Sequence, residues 1–470
     1  MKLLTKKPNA DYTTGPLFLP YLSIALPLLV SNLITRLYTV ADQAVIGRFS
    51  GDVNALGAIG STSVLNNVLI NTLTGLSVGV SIALARAIGN KDKKRASSVI
   101  HTSVLFSLLI GVVFAVIGFF VSRPVLEALG TKPEHIELAE SYIKVIFIGL
   151  PAHAMLAFTG VALCAKGKSS VQAAISIASG IMNVALNVVF VALFHMSVVG
   201  VALATVISEL LAVFAELAVL SRDEPELAFS LRRLKISPSP LCEILQIGIP
   251  NALQTIAYSI GSIFISATRN TLPLDILNAA AAAGSTSGLL MPIASGFGVT
   301  AVSVLVAQNY GAKNTKRINR VIRNASFTVI AIYAVIIPLF AIFSKAILSL
   351  FLNPADEGYA TLLAYAVPLL LLQPIEIALS GLTNIFSSSE RAIGHSSVPL
   401  IVALAVNCGF SILWCTVIFP LFTNPLFFFL LGICIQILCL IITGITLAIH
   451  MRGLKRNFAL APREECTANN

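Results

Sequence analysis

The chain has 470 residues, 56% of them hydrophobic and only 11% charged, with a mean hydropathy of +0.90. A soluble domain carries roughly 25% charged residues, so this composition excludes a water-soluble globular protein and makes the bilayer part of the solvent. The formal charge of +10 does not indicate a nucleic-acid partner, because the cations sit in short loops between apolar stretches, the pattern of membrane topology.

The N-terminal stretch MKLLTKKPNADYTTG lacks a short apolar core with a small-residue cleavage site, and reads as a retained cytoplasmic tail. Twelve apolar segments follow, at 18–48, 54–86, 96–122, 136–165, 170–194, 197–221, 241–269, 276–308, 321–345, 358–388, 396–423 and 425–451. Each is long enough to cross a hydrocarbon core about 30 Å thick. In lipid the backbone must satisfy itself within helices. Pro27, Pro151, Pro250, Pro292 and Pro374 lie inside segments and mark expected kinks. With the N-terminus inside, 24 of the 31 Lys and Arg fall in the tails and even-numbered loops and five on the opposite side, while Arg36 and Lys144 lie within segments. That asymmetry places both termini in the cytoplasm and the chain in the inner (plasma) membrane. The seven cysteines form no CxxC pair, so neither a metal site nor a disulfide framework is indicated.

An internal repeat organises the chain. NALGAIGSTS at 54–63 matches NAAAAAGSTS at 278–287, and ARAIGNKDKKR at 85–95 matches AQNYGAKNTKR at 307–317. LPAHAML at 150–156 matches QPIEIAL at 373–379, GKSS at 167–170 matches GHSS at 394–397, and ALP at 25–27 matches GIP at 248–250, with offsets between 221 and 227. The expected domains are an N-terminal six-helix bundle (1–221), a linker (222–240), a C-terminal six-helix bundle (241–451) and a C-terminal tail (452–470). Six spans per half give parallel repeats, related by an axis along the membrane normal.

Pro27 followed by VADQAVIGRFSG, the paired basic loops after the second and eighth segments, and LCAKGKSS leading into an asparagine-bearing fifth segment resemble the multidrug and toxic compound extrusion (MATE) family. The resemblance covers nearly the whole chain. It implies an all-α integral membrane fold, with twelve transmembrane helices in two homologous six-helix bundles forming a V-shaped central cavity. It further implies export of bulky, often cationic compounds in exchange for Na⁺ or H⁺.

Asp42 is the first candidate, because a carboxylate inside a membrane segment is costly unless paired, wet or protonated. The resemblance implies a cation or proton site there. Asn32, Thr35, Arg36, Thr39, Asp42 and Gln43 share a stripe about 120° wide, which must face protein or water. The alternative role for Asp42, neutralising Arg36, is weakened by their six-residue spacing, a rise of about 9 Å. On the fifth segment Ser176, Ser179, Asn183 and Asn187 share another stripe; many relatives have aspartate where Asn187 stands, so here an amide donates or accepts instead. Interhelical bonding is the plain alternative. Glu376 is a further ion-coupling candidate, and by the repeat it corresponds to His153, which is either a titratable cavity residue or a packing histidine. Asn67, Gln254 and Tyr258 complete the expected substrate cavity, and Glu209 and Glu216 share one face of the sixth segment.

GLSVG at 75–79 lies in a membrane segment, without the strand-to-helix turn a nucleophile elbow needs, and no Walker A sequence occurs. The reading is therefore not an enzyme but a monomeric antiporter. It exports amphipathic, cationic drugs or toxins, with the lipid bilayer as partner, no cofactor, and H⁺ or Na⁺ as the coupling ion. A lipid-linked saccharide flippase of related architecture is the alternative.

Overall fold

The computed structural model describes residues 11–50, 52, 54–353 and 358–460, and the side chains at 39, 64, 289, 459 and 460 lie outside that description. Among the described residues the chain is helical, with no strand. The first bundle holds α1 (Phe18–Phe49), α2 (Ala55–Gly89), α3 (Lys93–Ala128), α4 (Pro133–Ala165), α5 (Ser169–Leu193) and α6 (Ser197–Ser221). The second begins with α7 (Pro238–Arg269). Its next segment, expected as one helix, is two: α8 (Leu274–Gly284) and, after a turn at Ser285 and Thr286, α9 (287–311). Then come α10 (Thr315–Ile342), α11 (Tyr359–Ile393), α12 (Ser397–Leu421) and α13 (Pro425–Phe458). Eleven of these helices are long and apolar enough to cross a bilayer. The twelfth, α7, is as long as α1 but carries Gln246, Asn251, Gln254 and Thr255, which dilute its hydropathy.

Several helices run past their apolar spans into the basic loops. The α3 helix starts at Lys93 because Asp92 caps it, accepting from Arg95 N at 2.8 Å, and α10 starts at Thr315 because Asn314 accepts from Arg317 N at 3.2 Å. A side-chain cap satisfies one of the free N–H groups of a helix's first turn. These two caps are equivalent through the repeat, and the residues before them, Lys91 and Lys313, both take φ near +55° (57° and 55°). The same correspondence recurs between helices. Ser169 Oγ donates to Ser23 O at 3.0 Å in the first bundle, and Ser396 Oγ donates to Gln246 O at 2.8 Å in the second. The sequence repeat is thus a repeat of hydrogen bonds.

The bundles meet along the second half of α2, the first half of α7 and the end of α9, at the face where the chain's described ends emerge. A Cβ on Gly79 would lie 2.2 Å from Ile244 O, so only glycine permits this approach of α2 to α7. Arg86 and Arg95 both reach Glu243 across the seam, at 3.1 and 2.6 Å, and Arg86 also donates to Ala392 O at 3.0 Å. The segment before α1 crosses the same seam: Tyr12 N donates to Gln308 Oε1 at 3.1 Å, and Arg317 donates to Tyr12 O at 2.9 Å. From this closed face the two bundles diverge as a V.

Candidate functional site

In the far half of the first bundle, α1 and α5 pack closely because Gly180 leaves room for the Tyr38 ring; a Cβ there would lie 1.9 Å from it. Tyr38 Oη donates to Ile177 O at 3.1 Å, pinning the pair. One to two turns further along α5 this register brings Asn183 and Asn187 to Asp42. Asn187 Nδ2 donates to Asp42 Oδ1 at 2.5 Å. With its amide nitrogen turned to the carboxylate, Asn183 donates to Asp42 Oδ1 at 2.9 Å and accepts from Thr205 Oγ1 at 3.2 Å, an orientation that satisfies both ends of the amide. Asn187 is fully buried, and among the described residues its Oδ1 has no hydrogen-bond partner. Among the described residues no Lys, Arg or His lies within ion-pair distance of Asp42, so neutralising Arg36 is not its role here. A π-helical turn, Val188–Leu193, begins directly after Asn187; such turns are frequent at functional sites.

The site therefore comprises Asp42, Asn183, Asn187 and Thr205. The sequence reading missed Thr205, a hydroxyl on the apolar α6 whose only signal is a spacing of one turn from Glu209. Of the expected cavity residues, Asn32, Arg36 and Gln43 are exposed along α1 and Asn67 along α2, while the Thr39 side chain lies outside the described residues. His153 faces its own bundle, with Nδ1 at 2.9 Å from Glu209 Oε1.

Three expectations change. Gln254 is not an open cavity residue: it is 6% exposed, accepts from Arg391 at 2.9 Å and donates to Tyr258 Oη at 2.8 Å. Arg391, expected in a loop, is buried in the last turn of α11 and also reaches Ser388 Oγ at 3.1 Å, so Arg36 and Lys144 are not the only cations within helices. Glu376 does not join Asp42, Asn183 and Asn187. It lies on α11 of the other bundle, pressed over Gly432, where a Cβ would approach its carboxylate to 2.5 Å, and it has no hydrogen bond among the described residues.

What stands opposite the Asp42 cluster in the second bundle follows from the hydrogen-bond equivalences above. Ser23 corresponds to Gln246, so Asp42 corresponds to Ile265; Ser169 corresponds to Ser396, so Asn183 and Asn187 correspond to Phe410 and Trp414. Those three residues form an apolar cluster, with Phe410 and Trp414 rings 5.8 Å apart and Trp414 stacked on Phe427 at 5.0 Å. The positions equivalent to Asp42, Asn183 and Asn187 are thus apolar in the second bundle.

Comparison with known proteins agrees with this architecture. The MatE family model matches residues 27–189 and again 250–417, one match in each bundle. The chain is 29% identical to the probable multidrug resistance protein YoeA of Bacillus subtilis (strain 168) over 82% of this chain and 83% of that one. It is 24% identical to the multidrug export protein MepA of Staphylococcus saprophyticus over 84% of this chain and 85% of that one. Its fold superposes, with a TM-score of 0.85 and 22% identity, on an outward-facing multidrug resistance MATE family transporter of the MOP superfamily, covering 96% of this chain and 100% of that one. The chain belongs to the MatE family of multi-pass membrane transporters.

Proposed function

We propose that this chain is a secondary-active multidrug exporter, exchanging amphipathic, cationic organic compounds for H⁺ or Na⁺ by alternating access, with Asp42 as the coupling carboxylate. The observation that carries this reading is the Asp42 cluster: a membrane carboxylate held by two amides and, among the described residues, without a cationic partner, beside an amide oxygen of Asn187 that has no partner there either. Such a carboxylate is neutralised by a proton, or by a sodium ion bound through the oxygens of Asp42, Asn187 and Thr205, since hard cations take oxygen ligands. The names of the similar Bacillus and Staphylococcus proteins support export of drugs.

In this reading residues 1–221 and 241–451 rock against each other, with 222–240 as linker and 452–470 as tail. Both termini lie in the cytoplasm, following the 24-to-5 distribution of cations. The seam held by Arg86, Arg95 and Glu243 then closes the cytoplasmic side. Ion binding at Asp42 drives export only by favouring one closed face over the other, because a ligand shifts an equilibrium only through differential affinity. The protein works as a monomer in the plasma membrane and needs no cofactor beyond the coupling ion. The saccharide-flippase alternative calls for cavity cations to hold a pyrophosphate, whereas Arg391 is already committed to Gln254 and Ser388.

Reconstitution in liposomes, with H⁺ and Na⁺ gradients imposed separately and a panel of fluorescent organic cations as cargo, tests the proposal. Export driven by one of the gradients is expected. A chain that moves none of the panel under either gradient is not this exporter.

A further inference from the structure

Glu216 sits on α6, eleven residues past Thr205 and about 16 Å further toward the cytoplasmic face. It is fully buried between α4 and α5, at 0% exposure. Its Oε2 is hydrogen-bonded to Thr159 Oγ1 of α4. The same Thr159 hydroxyl lies 2.7 Å from Met155 O. A hydroxyl carries one hydrogen, and both of these neighbours are acceptors while Glu216 is ionised. A hydrogen on Glu216 resolves this competition: Thr159 then donates to Met155 O and accepts from the Glu216 carboxyl, and every group in the contact is satisfied.

The surroundings agree. Glu216 Oε1 is buried and unpartnered, as is the Oε1 of Gln172. Both head groups border Gly160, where a Cβ would lie 3.3 Å from Glu216 Oε1 and 3.5 Å from Gln172 Nε2. With no donor at Oε1 among the described residues, a full negative charge on Glu216 would be buried and unpaired, which is costly. The charged groups on the packed elements are engaged elsewhere. His153 of α4 pairs with Glu209 of α6 at 2.9 Å, Lys166 at the end of α4 pairs with Asp223, and Asp42 of α1 bonds Asn187. Cys164 of α4 is buried, α5 carries no charged residue, and Arg86 of α2 pairs with Glu243.

We propose that Glu216 is a second proton-carrying site of the first bundle, a neutral carboxylic acid bonded to Thr159, lying on the cytoplasmic side of the Asp42 cluster. Its role as a station for a transported proton rests on the antiport reading; the presence of the proton does not. Deprotonation would release H⁺ and leave a carboxylate needing a donor, which water entering the bundle from the cytoplasm supplies.

Infrared difference spectroscopy of the purified full-length protein, without substrate or gradient, reads the proton directly. Wild type minus Glu216→Gln at neutral pH should show a protonated-carboxyl C=O band that moves in D₂O. Thr159→Val, which leaves the carboxyl in place, should displace that band without abolishing it. Loss of ionised-carboxylate bands alone would overturn the proposal. In proteoliposomes, Glu216→Gln should lower gradient-driven export about tenfold with fluorescent-cation binding retained. Unchanged export in this variant would overturn its role in the cycle. A wild type that exports nothing would defeat the antiport reading while the spectra still decide the proton.

Discussion

Apart from the break between α8 and α9, where the first bundle has the single helix α2, the two bundles share a hydrogen-bonded scaffold and fill it with opposite chemistry. Ser169–Ser23 and Ser396–Gln246 make the same bond, and Asp92 and Asn314 cap equivalent helices. Yet the first bundle places Asp42, Asn183 and Asn187 where the second places Ile265, Phe410 and Trp414. Scaffold bonds are needed in both halves because both must hold their helices together in lipid, where buried polar groups need partners. Ion binding needs only one half to change its affinity. The second bundle's version of the site is then free to become packing, as the stack of Phe410, Trp414 and Phe427 shows.

This comparison breaks most sharply at Asp42. Asp42→Asn should reduce gradient-driven export to background while expression and unfolding temperature stay near wild type, because removing a charge from a membrane helix eases insertion. A pair of substitutions at equivalent positions should show opposite signatures. Trp414→Ala should cost roughly 3 kcal/mol of stability, the scale of a truncated aromatic in a packed core, with transport per folded molecule retained. Asn187→Ala should cost about 1 kcal/mol or less, typical of a membrane hydrogen bond, and yet lower export at least tenfold. Unfolding in detergent and transport at matched protein amounts measure both; matching losses in the two variants would mean that the halves are not specialised.

The cytoplasmic ends sharpen the contrast further. Beyond α6 of the first bundle, Asp223 and Lys166 form a pair with both side chains at 0% exposure, joined by Lys168 at 3.1 Å; the second bundle uses Glu390 and His450, 2.9 Å apart. Burial pushes the Asp223 carboxyl up, but the hydrogen bonds and charges of Lys166 and Lys168 outweigh it and hold the group below the usual carboxylate range. A carboxyl depressed on folding stabilises the fold above its unfolded value, near pH 4, and loses that contribution as pH falls through the depressed value. Wild type should therefore hold its unfolding temperature from pH 7 to 5 and drop below about pH 4. Asp223→Asn should be roughly 3–5 kcal/mol less stable at neutral pH, since it strands a buried lysine, and should lack this part of the acid limb. An identical acid profile in the variant would remove the pair from the account. The smallest effect is expected at Glu376. With no partner among the described residues and no contact with the Asp42 cluster, Glu376→Gln should change the ion dependence of export by less than about threefold, under 1 kcal/mol. A larger shift would bring the second bundle into coupling.

Much of this was readable in the chain. Twelve apolar runs and five matched motifs announce the helices and the repeat, and the Asp42 and Asn187 stripes meet because polar residues in lipid must face protein. Helix ends were not readable, because Asp92 and Asn314 carry the helices into basic stretches that resemble loops. The same effect hid Arg391 at the end of α11. Gln254 looks like a cavity residue on α7, but only the fold supplies the arginine that fills it. His153 and Glu376 correspond by sequence, yet one finds Glu209 on a neighbouring helix while the other finds Gly432. Equivalence through a repeat fixes a residue's place and leaves its neighbours open. Thr205 and Glu216 depend on which helices pack against α6, which no pattern along one helix contains.

The most direct measurement of the central claim follows cargo and cation together in proteoliposomes, in wild type, Asp42→Asn and Trp414→Ala at matched folded protein. Coupled fluxes should persist in Trp414→Ala, and in Asp42→Asn cargo export and the accompanying cation influx should vanish together. Gradient-driven export with its cation flux intact in Asp42→Asn would contradict the assignment of coupling to the first bundle's polar cluster.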